Sequence, residues 1–169
     1  MDRRYLLILL ILAMSLTTAA QANWILHCDS LDPDKCGYVD KNGRVKIPLG
    51  KYRICFTDTF KHFAVVLDDN NRFAAINKEQ NVLFYVLPFD NGPDYTSEGL
   101  FRIIDKGKIG YANMKGEIVI KPTYQCALPF EDGKAKVTRK CEYRMKDEHP
   151  YLVSSEWFFI DHSGKKVDQ

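Results

Sequence analysis

Short runs of alternating apolar and polar residues, separated by turn signals, dominate the chain from residue 23 onward. In the clearest example, residues 107–137, an alternating run through Tyr111 is followed by the polar segment 113–116 and by a second run through Ile120. Alternation in β-branched and aromatic residues predicts strands with one buried face. The Asn and Gly that bound the polar segment accept the positive φ of a short hairpin loop. This stretch therefore predicts a β-hairpin.

The same stretch continues toward a third strand. Pro122 cannot donate a hydrogen bond to a neighbouring strand, so the second strand is expected to end near it. Residues 124–130 then cross over, and residues 129–133 provide a further turn signal. Ala135 and Val137 begin a third strand with one apolar face.

Three other segments carry the same order of residue types: residues 37–48, a degraded copy at 73–82, and a copy at 157–165 that is cut short. The aligned positions are Tyr38, Ala75, Tyr111 and Phe159. They are separated by about 37, 36 and 48 residues, and the first two steps lie in the range that indicates a repeat architecture. The third step contains an insertion around residues 140–155.

These repeats predict an all-β fold: tandem β-hairpin repeats of roughly 36 residues that form an open solenoid-like or curved sheet array. An incomplete propeller-like barrel is the alternative. The expected repeats lie near residues 37–72, 73–106 and 107–156, with a partial unit at 157–169. Together they form a single domain over residues 23–169, since a chain of about 147 residues can bury a sizeable core. Residues 23–28 are expected to cap the first repeat, because the ends of such arrays lack a neighbour.

The recurring pattern resembles the WG-containing repeat family, also called KWG repeats. Residues 107–137 carry it best, as Gly-aromatic-x-Asp/Asn-x-x-Gly, then x-Ile-x-Pro-x-x-Tyr, then Pro-Phe-x-x-Gly-x-Ala-x-Val. The namesake Trp-Gly pair is absent, since Ile109 and Cys36 stand where Trp is usual and Trp157 is not followed by Gly. The resemblance covers about residues 37–165. It implies a binding or scaffolding role rather than a catalytic one.

Residues 1–22 predict a cleaved secretory signal peptide. Arg3 and Arg4 form a basic start, residues 5–14 are apolar, and residues 20–22 are a small-x-small cleavage site. A membrane anchor is the alternative, but an apolar run of about ten residues is half of what a spanning helix needs. A periplasmic or secreted protein without an integral membrane segment is therefore expected after cleavage following residue 22.

The charge pattern bears on the partner. The formal net charge of the whole chain is +2, and acidic and basic residues are interspersed. Nucleic-acid-binding proteins carry a basic patch or stripe, which this pattern lacks, so no nucleic-acid partner is expected. The expected partner is a protein.

All five cysteines follow the predicted signal peptide. An oxidising compartment then predicts disulfides with one thiol left over, among about fifteen ways of forming two bonds. We favour Cys28–Cys36 and Cys126–Cys141, each contributing on the order of 3 kcal/mol by restricting the unfolded chain. Cys55 lies in an apolar run and is the candidate free thiol, expected to be buried. The alternative, a reactive thiol, requires a base beside it.

Four clusters with metal-binding or catalytic residue types have simpler interpretations. His27 beside Cys28 fits no common zinc spacing. Residues 40–43 resemble the start of a calcium loop that lacks its later ligands. The carboxylate pairs at 68–69 and 131–132 lie in predicted turns, where such groups are solvated. No catalytic residue, metal site or cofactor is expected, and the chain is not expected to be an enzyme.

Two segments are candidate partner-binding surfaces. The insertion at residues 141–155 is charged and breaks the repeat, and residues 88–99 form a loop rich in Pro, Gly and Asn. The residues singled out on them are Tyr143, Arg144, Tyr151, Asp94 and Tyr95. The recurring tyrosines are interpreted as core, with an exposed aromatic face for a sugar or protein as the alternative.

The expected function is that of an exported, non-catalytic WG-repeat protein acting as a protein-binding or scaffolding module in the cell envelope. The alternative is a periplasmic immunity or inhibitor protein that neutralises a toxin or hydrolase, which the small size, the export signal and the charged insertion suggest. A cell-wall enzyme is a third hypothesis with no motif behind it.

Overall fold

The computed structural model of this protein describes residues 22–146 and 149–168. Over these ranges the chain forms antiparallel β-strands and no helix. The sheets contain seven, four, four, two and two strands, and none of them closes into a barrel. The all-β fold and the open array of hairpins are therefore confirmed. The predicted signal peptide, apart from Ala22, lies outside the described residues.

The strands are β1 (Trp24–Cys28), β2 (Cys36–Val39), β3 (Val45–Ile47), β4 (Ile54–Cys55), β5 (Thr59–Phe60), β6 (Ala64–Leu67), β7 (Phe73–Ile76), β8 (Val82–Val86), β9 (Pro88–Phe89), β10 (Gly92–Pro93), β11 (Leu100–Asp105), β12 (Lys108–Asn113), β13 (Ile118–Tyr124), β14 (Cys126–Glu131), β15 (Lys134–Thr138), β16 (Glu142–Lys146), β17 (His149–Val153), β18 (Phe158–Asp161) and β19 (Lys166–Val167). The large sheet has the order β13-β12-β11-β8-β7-β6-β4, and the two four-stranded sheets have the orders β3-β2-β1-β5 and β14-β15-β18-β19. The described residues include no helix long and apolar enough to cross a membrane.

Four hairpins repeat along the chain: β2–β3, β7–β8, β12–β13 and β18–β19. The first strand of each also pairs with an earlier strand, namely β1, β6, β11 or β15, and in the last case the insertion with β16 and β17 lies between the two partners. The aligned residues of the first three hairpins face residues at the same offset, with Tyr38 opposite Ile47, Ala75 opposite Phe84 and Tyr111 opposite Ile120. β1 thus completes the first unit in the way that β6, β11 and β15 complete the following ones.

The same type of turn closes each hairpin. After β2, the Oδ1 atom of Asp40 accepts hydrogen bonds from the backbone N–H groups of Asn42 (2.9 Å) and Arg44 (3.0 Å). Gly43 follows with a φ of 74°. The hydrogen bond from Arg44 is the main cause of the lowered pKa of Asp40. The same two contacts recur at Asn113 and Asp161, after β12 and β18, and at Asp68 in the turn between β6 and β7. In the β7–β8 turn, the Oδ1 atom of Asn77 accepts from the backbone N–H of Asn81 at 2.8 Å. Asx side chains therefore specify these turns.

Glycine lets the strands of two hairpins approach closely. A Cβ atom on Gly110 would lie 2.3 Å from the carbonyl oxygen of Ile120, and one on Gly37 would lie 2.3 Å from that of Ile47. The register of β12 and β13 shifts at this point. β13 ends at Tyr124, two residues after Pro122, so the strand ends near this proline as expected, and the proline lies between the paired residues Ile120 and Tyr124. The irregular register accommodates a residue that cannot donate to the ladder.

The tyrosines after these glycines form the centres of two core clusters. Tyr38 and Tyr111 are almost fully buried. Each contacts a phenylalanine of its own unit edge-on, Phe60 and Phe130, with ring centroids 5.3 and 4.9 Å apart. Each hydroxyl also donates to a backbone carbonyl of the same unit, at 2.8 and 2.7 Å. Burial raises the pKa of both hydroxyls. They therefore remain neutral donors that satisfy buried backbone acceptors.

We expect Gly110→Ala to lower the free energy of unfolding by about 1–3 kcal/mol, because the added Cβ forces β12 and β13 apart. Urea denaturation of the purified variant measures this loss. Gly92→Ala is the matched control, since a Cβ there meets nothing within 4 Å and the residue has no positive φ. Equal stability of the two variants would contradict the close-approach account.

Candidate functional site

A cleft of about 430 Å³ opens between segments of the first three units. Its floor is aromatic and is lined by Phe63 and Phe101. The ring of Phe84 packs against both of them, and the three ring centroids lie 5.8–6.0 Å apart. Val65 and Val86 extend the apolar lining. Two rings from separate segments, with a third packed against them, thus create one apolar depression.

The rim of the cleft is basic. Lys61, His62 and Lys115 line it and are exposed. Phe56 and Met114 also stand at the surface of the cleft, and the side chain of Met114 accepts a hydrogen bond from Thr96 at 3.2 Å between Oγ1 and Sδ. The cleft therefore combines an apolar floor with cationic groups at its mouth.

Asp94 is the one acidic residue among those lining the cleft, and it is neutralised by Arg102. The Asp94 side chain is 1% exposed and that of Arg102 is 7% exposed. The Oδ2 atom of Asp94 accepts from the backbone N–H of Arg102 at 2.8 Å and from its Nε at 3.0 Å, and Arg102 Nη1 donates to the carbonyl of Ala127 at 3.1 Å. The expectation of Asp94 on a partner-binding surface is corrected, because the pair is interior. It fastens the 88–99 loop to the array.

Tyr95, the neighbour of Asp94, points to solvent instead. Half of its surface is exposed, and its ring contacts Phe89 edge-on at 5.2 Å between centroids. The loop that carries it contains two short paired strands, β9 and β10. Tyr95 is therefore held by local packing, on the outside of the array.

The insertion forms a two-stranded hairpin, β16–β17, which we call the projecting hairpin. Arg144 lies opposite Tyr151, so these two side chains share one face, while Tyr143 lies opposite Leu152 on the other face. Tyr143 is 74% exposed, and Met145 and Tyr151 are also exposed. The structure thus brings together two of the three candidate residues of the insertion.

The base of the projecting hairpin is tied to the array. The sulfur atoms of Cys126 and Cys141 are at bonding distance, with the Cα atoms 6.1 Å apart. The hydroxyls of Thr138 and Ser154 lie 3.0 Å apart, so they also join the two ends of the insertion. The hairpin projects from a fixed base.

The other cysteines are placed in the first unit. Cys28 and Cys36 face each other on β1 and β2, with their sulfur atoms at bonding distance. Cys55 is unpaired and half-buried, and burial raises the pKa of its thiol. In the described part of the chain, no group of three or more His, Cys, Asp or Glu residues is arranged to hold a metal ion.

The geometry defines an all-β repeat protein in which one hairpin unit recurs. Residues 109–139, from β12 to the end of β15, match the family model of the WG containing repeat. The resemblance is therefore confirmed for this segment, which is the unit with the clearest pattern. No curated protein and no solved structure matches the chain.

Sequence reasoning did not find the cleft. Its floor residues, Phe63 and Phe101, are 38 positions apart, about the length of one unit, and no local pattern links them. Phe63 and Phe101 lie in apolar runs that predict strands, and large apolar residues are expected to pack in the core. The basic residues at the rim, Lys61 and Lys115, are the polar residues of the cleft that could have suggested a binding site.

We expect Asp94→Ala to lower the free energy of unfolding by about 3–5 kcal/mol, because Arg102 is then left as an unpaired buried charge. Chemical denaturation measures the loss. Glu156→Ala is the control, since it breaks the exposed ion pair with Lys140 and is expected to cost less than about 1 kcal/mol. Similar losses in the two variants would refute the buried role of Asp94.

We expect alkylation of the unfolded, unreduced protein to label one thiol, Cys55, detected by mass spectrometry. In the folded protein we expect Cys55 to react at least about ten-fold more slowly than glutathione at pH 8, because burial disfavours the thiolate. Labelling of all five cysteines in the unreduced protein would exclude both disulfides.

Proposed function

We propose that this protein is an exported, non-catalytic binding module of the cell envelope, and that it engages a protein partner through the projecting hairpin. The observation that carries the proposal is a hairpin that takes no part in the repeat sheets and exposes Tyr143, Met145 and Tyr151. Tyrosine, methionine and arginine are enriched at protein interfaces, and tyrosine and arginine among their energetically dominant residues.

The fixed base of the hairpin supports a binding role. A loop that must be ordered on association loses part of its binding free energy to conformational entropy. The Cys126–Cys141 pair and the Thr138–Ser154 contact hold the two ends of the insertion before any partner arrives. The repeat array then acts as a rigid support, as is common for binding loops.

The two faces of the projecting hairpin differ in the side chains that they offer to a partner. One face carries Tyr143 beside Met145, which is apolar and polarizable. The other carries Arg144 opposite Tyr151, with Glu142 3.2 Å from the Arg144 guanidinium. A partner that clasps the hairpin would use both faces, and one that packs on a single face would use only one pair.

Export follows from the predicted signal peptide and is supported by the cysteine pairs. Disulfides persist in the periplasm and outside the cell, and are rare in the cytosol. A periplasmic immunity or inhibitor function is a special case of the same proposal, in which the partner is a toxin or a hydrolase. The identity of the partner separates it from a scaffolding function.

The test is site-specific photocrosslinking in the producing cells. A photoreactive side chain replaces Met145, and the control replaces Val45, which is equally exposed but lies on β3. We expect one defined protein adduct from position 145 and none from 45. The partner identified by mass spectrometry should then bind the purified protein, and Tyr143→Ala with Tyr151→Ala should weaken binding at least about ten-fold.

Identical adducts from positions 145 and 45, or unchanged affinity in the double tyrosine variant, would refute the hairpin as the binding surface. If the partner is a hydrolase or toxin, loss of its activity on adding the purified protein would establish inhibition. Unchanged partner activity would exclude the inhibitor function.

A further inference from the structure

We propose that the cleft between the first three units binds a small aromatic carboxylate. This site is separate from the projecting hairpin, and the proposal stands or falls independently of the protein partner. It rests on the shape of the cleft, on its aromatic floor and on the charge at its mouth.

The size and lining of the cleft suit a small ligand. Sites for small molecules usually measure about 300–1,000 Å³ and are mostly apolar with a few polar groups. The cleft, at about 430 Å³, has the floor rings of Phe63 and Phe101, with Phe56 at its edge. Aromatic pairs add roughly 0.5–1.5 kcal/mol beyond the area they bury, so three rings favour an aromatic body over an aliphatic chain.

The charge of the rim selects an anion. Two lysines from different segments line the cleft: Lys61 from the loop between β5 and β6, and Lys115 from the turn between β12 and β13. His62 adds a third nitrogen group. The acid of the lining, Asp94, is held by Arg102 in the interior and does not balance these cations. A ligand carboxylate at the mouth of the cleft would neutralise part of this positive charge.

Hydroxyl groups give the anion further donors. Thr59 lines the cleft beside the lysines. Thr96 also lines the cleft, and its hydroxyl donates to the sulfur of Met114. A thioether sulfur is a weak acceptor, so the hydroxyl would form a stronger hydrogen bond with a carboxylate oxygen. The ligand is therefore expected to place its ring on the phenylalanines and its carboxylate among Lys61, Lys115 and Thr96.

Two methionines give the experiment an internal reference. Met114 lines the cleft and is 55% exposed, whereas Met145 lies on the projecting hairpin. In the exported protein labelled with ¹³C-methyl methionine, we expect naphthalene-2-acetate to shift the Met114 signal and leave that of Met145 in place. The titration gives the dissociation constant. A shift of Met145 alone, or no shift at millimolar probe, overturns the proposal.

Charge and ring are tested with matched probes. The cation 2-(naphthalen-2-yl)ethylammonium has the same ring system and is expected to bind at least about ten-fold more weakly than the carboxylate. Decanoate has the same charge without a ring, and is expected to bind more weakly too. Equal binding of the cation overturns the anion assignment, and tighter binding of decanoate overturns the aromatic one.

Variants at exposed positions of the rim avoid loss of folding. Lys61→Gln combined with Lys115→Gln is expected to weaken naphthalene-2-acetate at least about ten-fold, because two charged donors are removed. Met114→Glu removes the methyl reporter, so binding to this variant is followed by the fluorescence of the naphthalene ring; like-charge repulsion is expected to abolish binding. Lys41→Gln, in the turn after β2, is the control and should bind as the parent protein does. Unchanged affinity in both rim variants, with the fold intact by circular dichroism, overturns the site.

Discussion

Gly37 and Gly110 stand where two strands of a hairpin come closer than any side chain allows. This approach lets Tyr38 and Tyr111, the next residues, reach the interior and donate to backbone carbonyls within their own units. In the second and fourth units Ala75 and Phe159 occupy the tyrosine position and have no hydroxyl to donate. The first and third units therefore hold the buried hydroxyl contacts of the array.

The contact between units follows from the same hairpins. A Cβ on Gly116 would lie 3.1 Å from the side chain of Phe63 and 3.4 Å from that of Leu83, and one on Gly164 would lie 3.4 Å from Ile120. The turns of the third and fourth units thus pack on residues of the units before them and shield apolar surface there. This arrangement is the basis of repeat stability, in which neighbours supply the burial that a single unit lacks. The cleft lies where this stacking brings together segments of three units.

The residues that stabilise the array are distinct from the residues proposed to bind ligands. Its sheets account for the clusters around Tyr38 and Tyr111, while the projecting hairpin and the rim of the cleft lie outside these clusters. Side chains at such places are free to vary without loss of the fold, because surface substitutions usually cost little stability. The Arg102–Asp94 pair is the exception, since it joins a loop near the cleft to the interior and removes the only negative charge from the lining.

Local chemistry determined much of this protein. Period-two patterns predicted the hairpins, Asx and Gly residues predicted their turns, and the Gly-Tyr spacing indicated the repeat, since all three depend on residues near one another in the chain. Tertiary structure decided the rest. The polar loop predicted Asp94 at the surface, but Arg102 on β11, eight residues later, pairs with it in the interior. The strand pairing of the insertion places Arg144 and Tyr151 on one face of the projecting hairpin and Tyr143 on the other. The cleft required three phenylalanines from distant segments to meet, and no local pattern specifies such long-range packing.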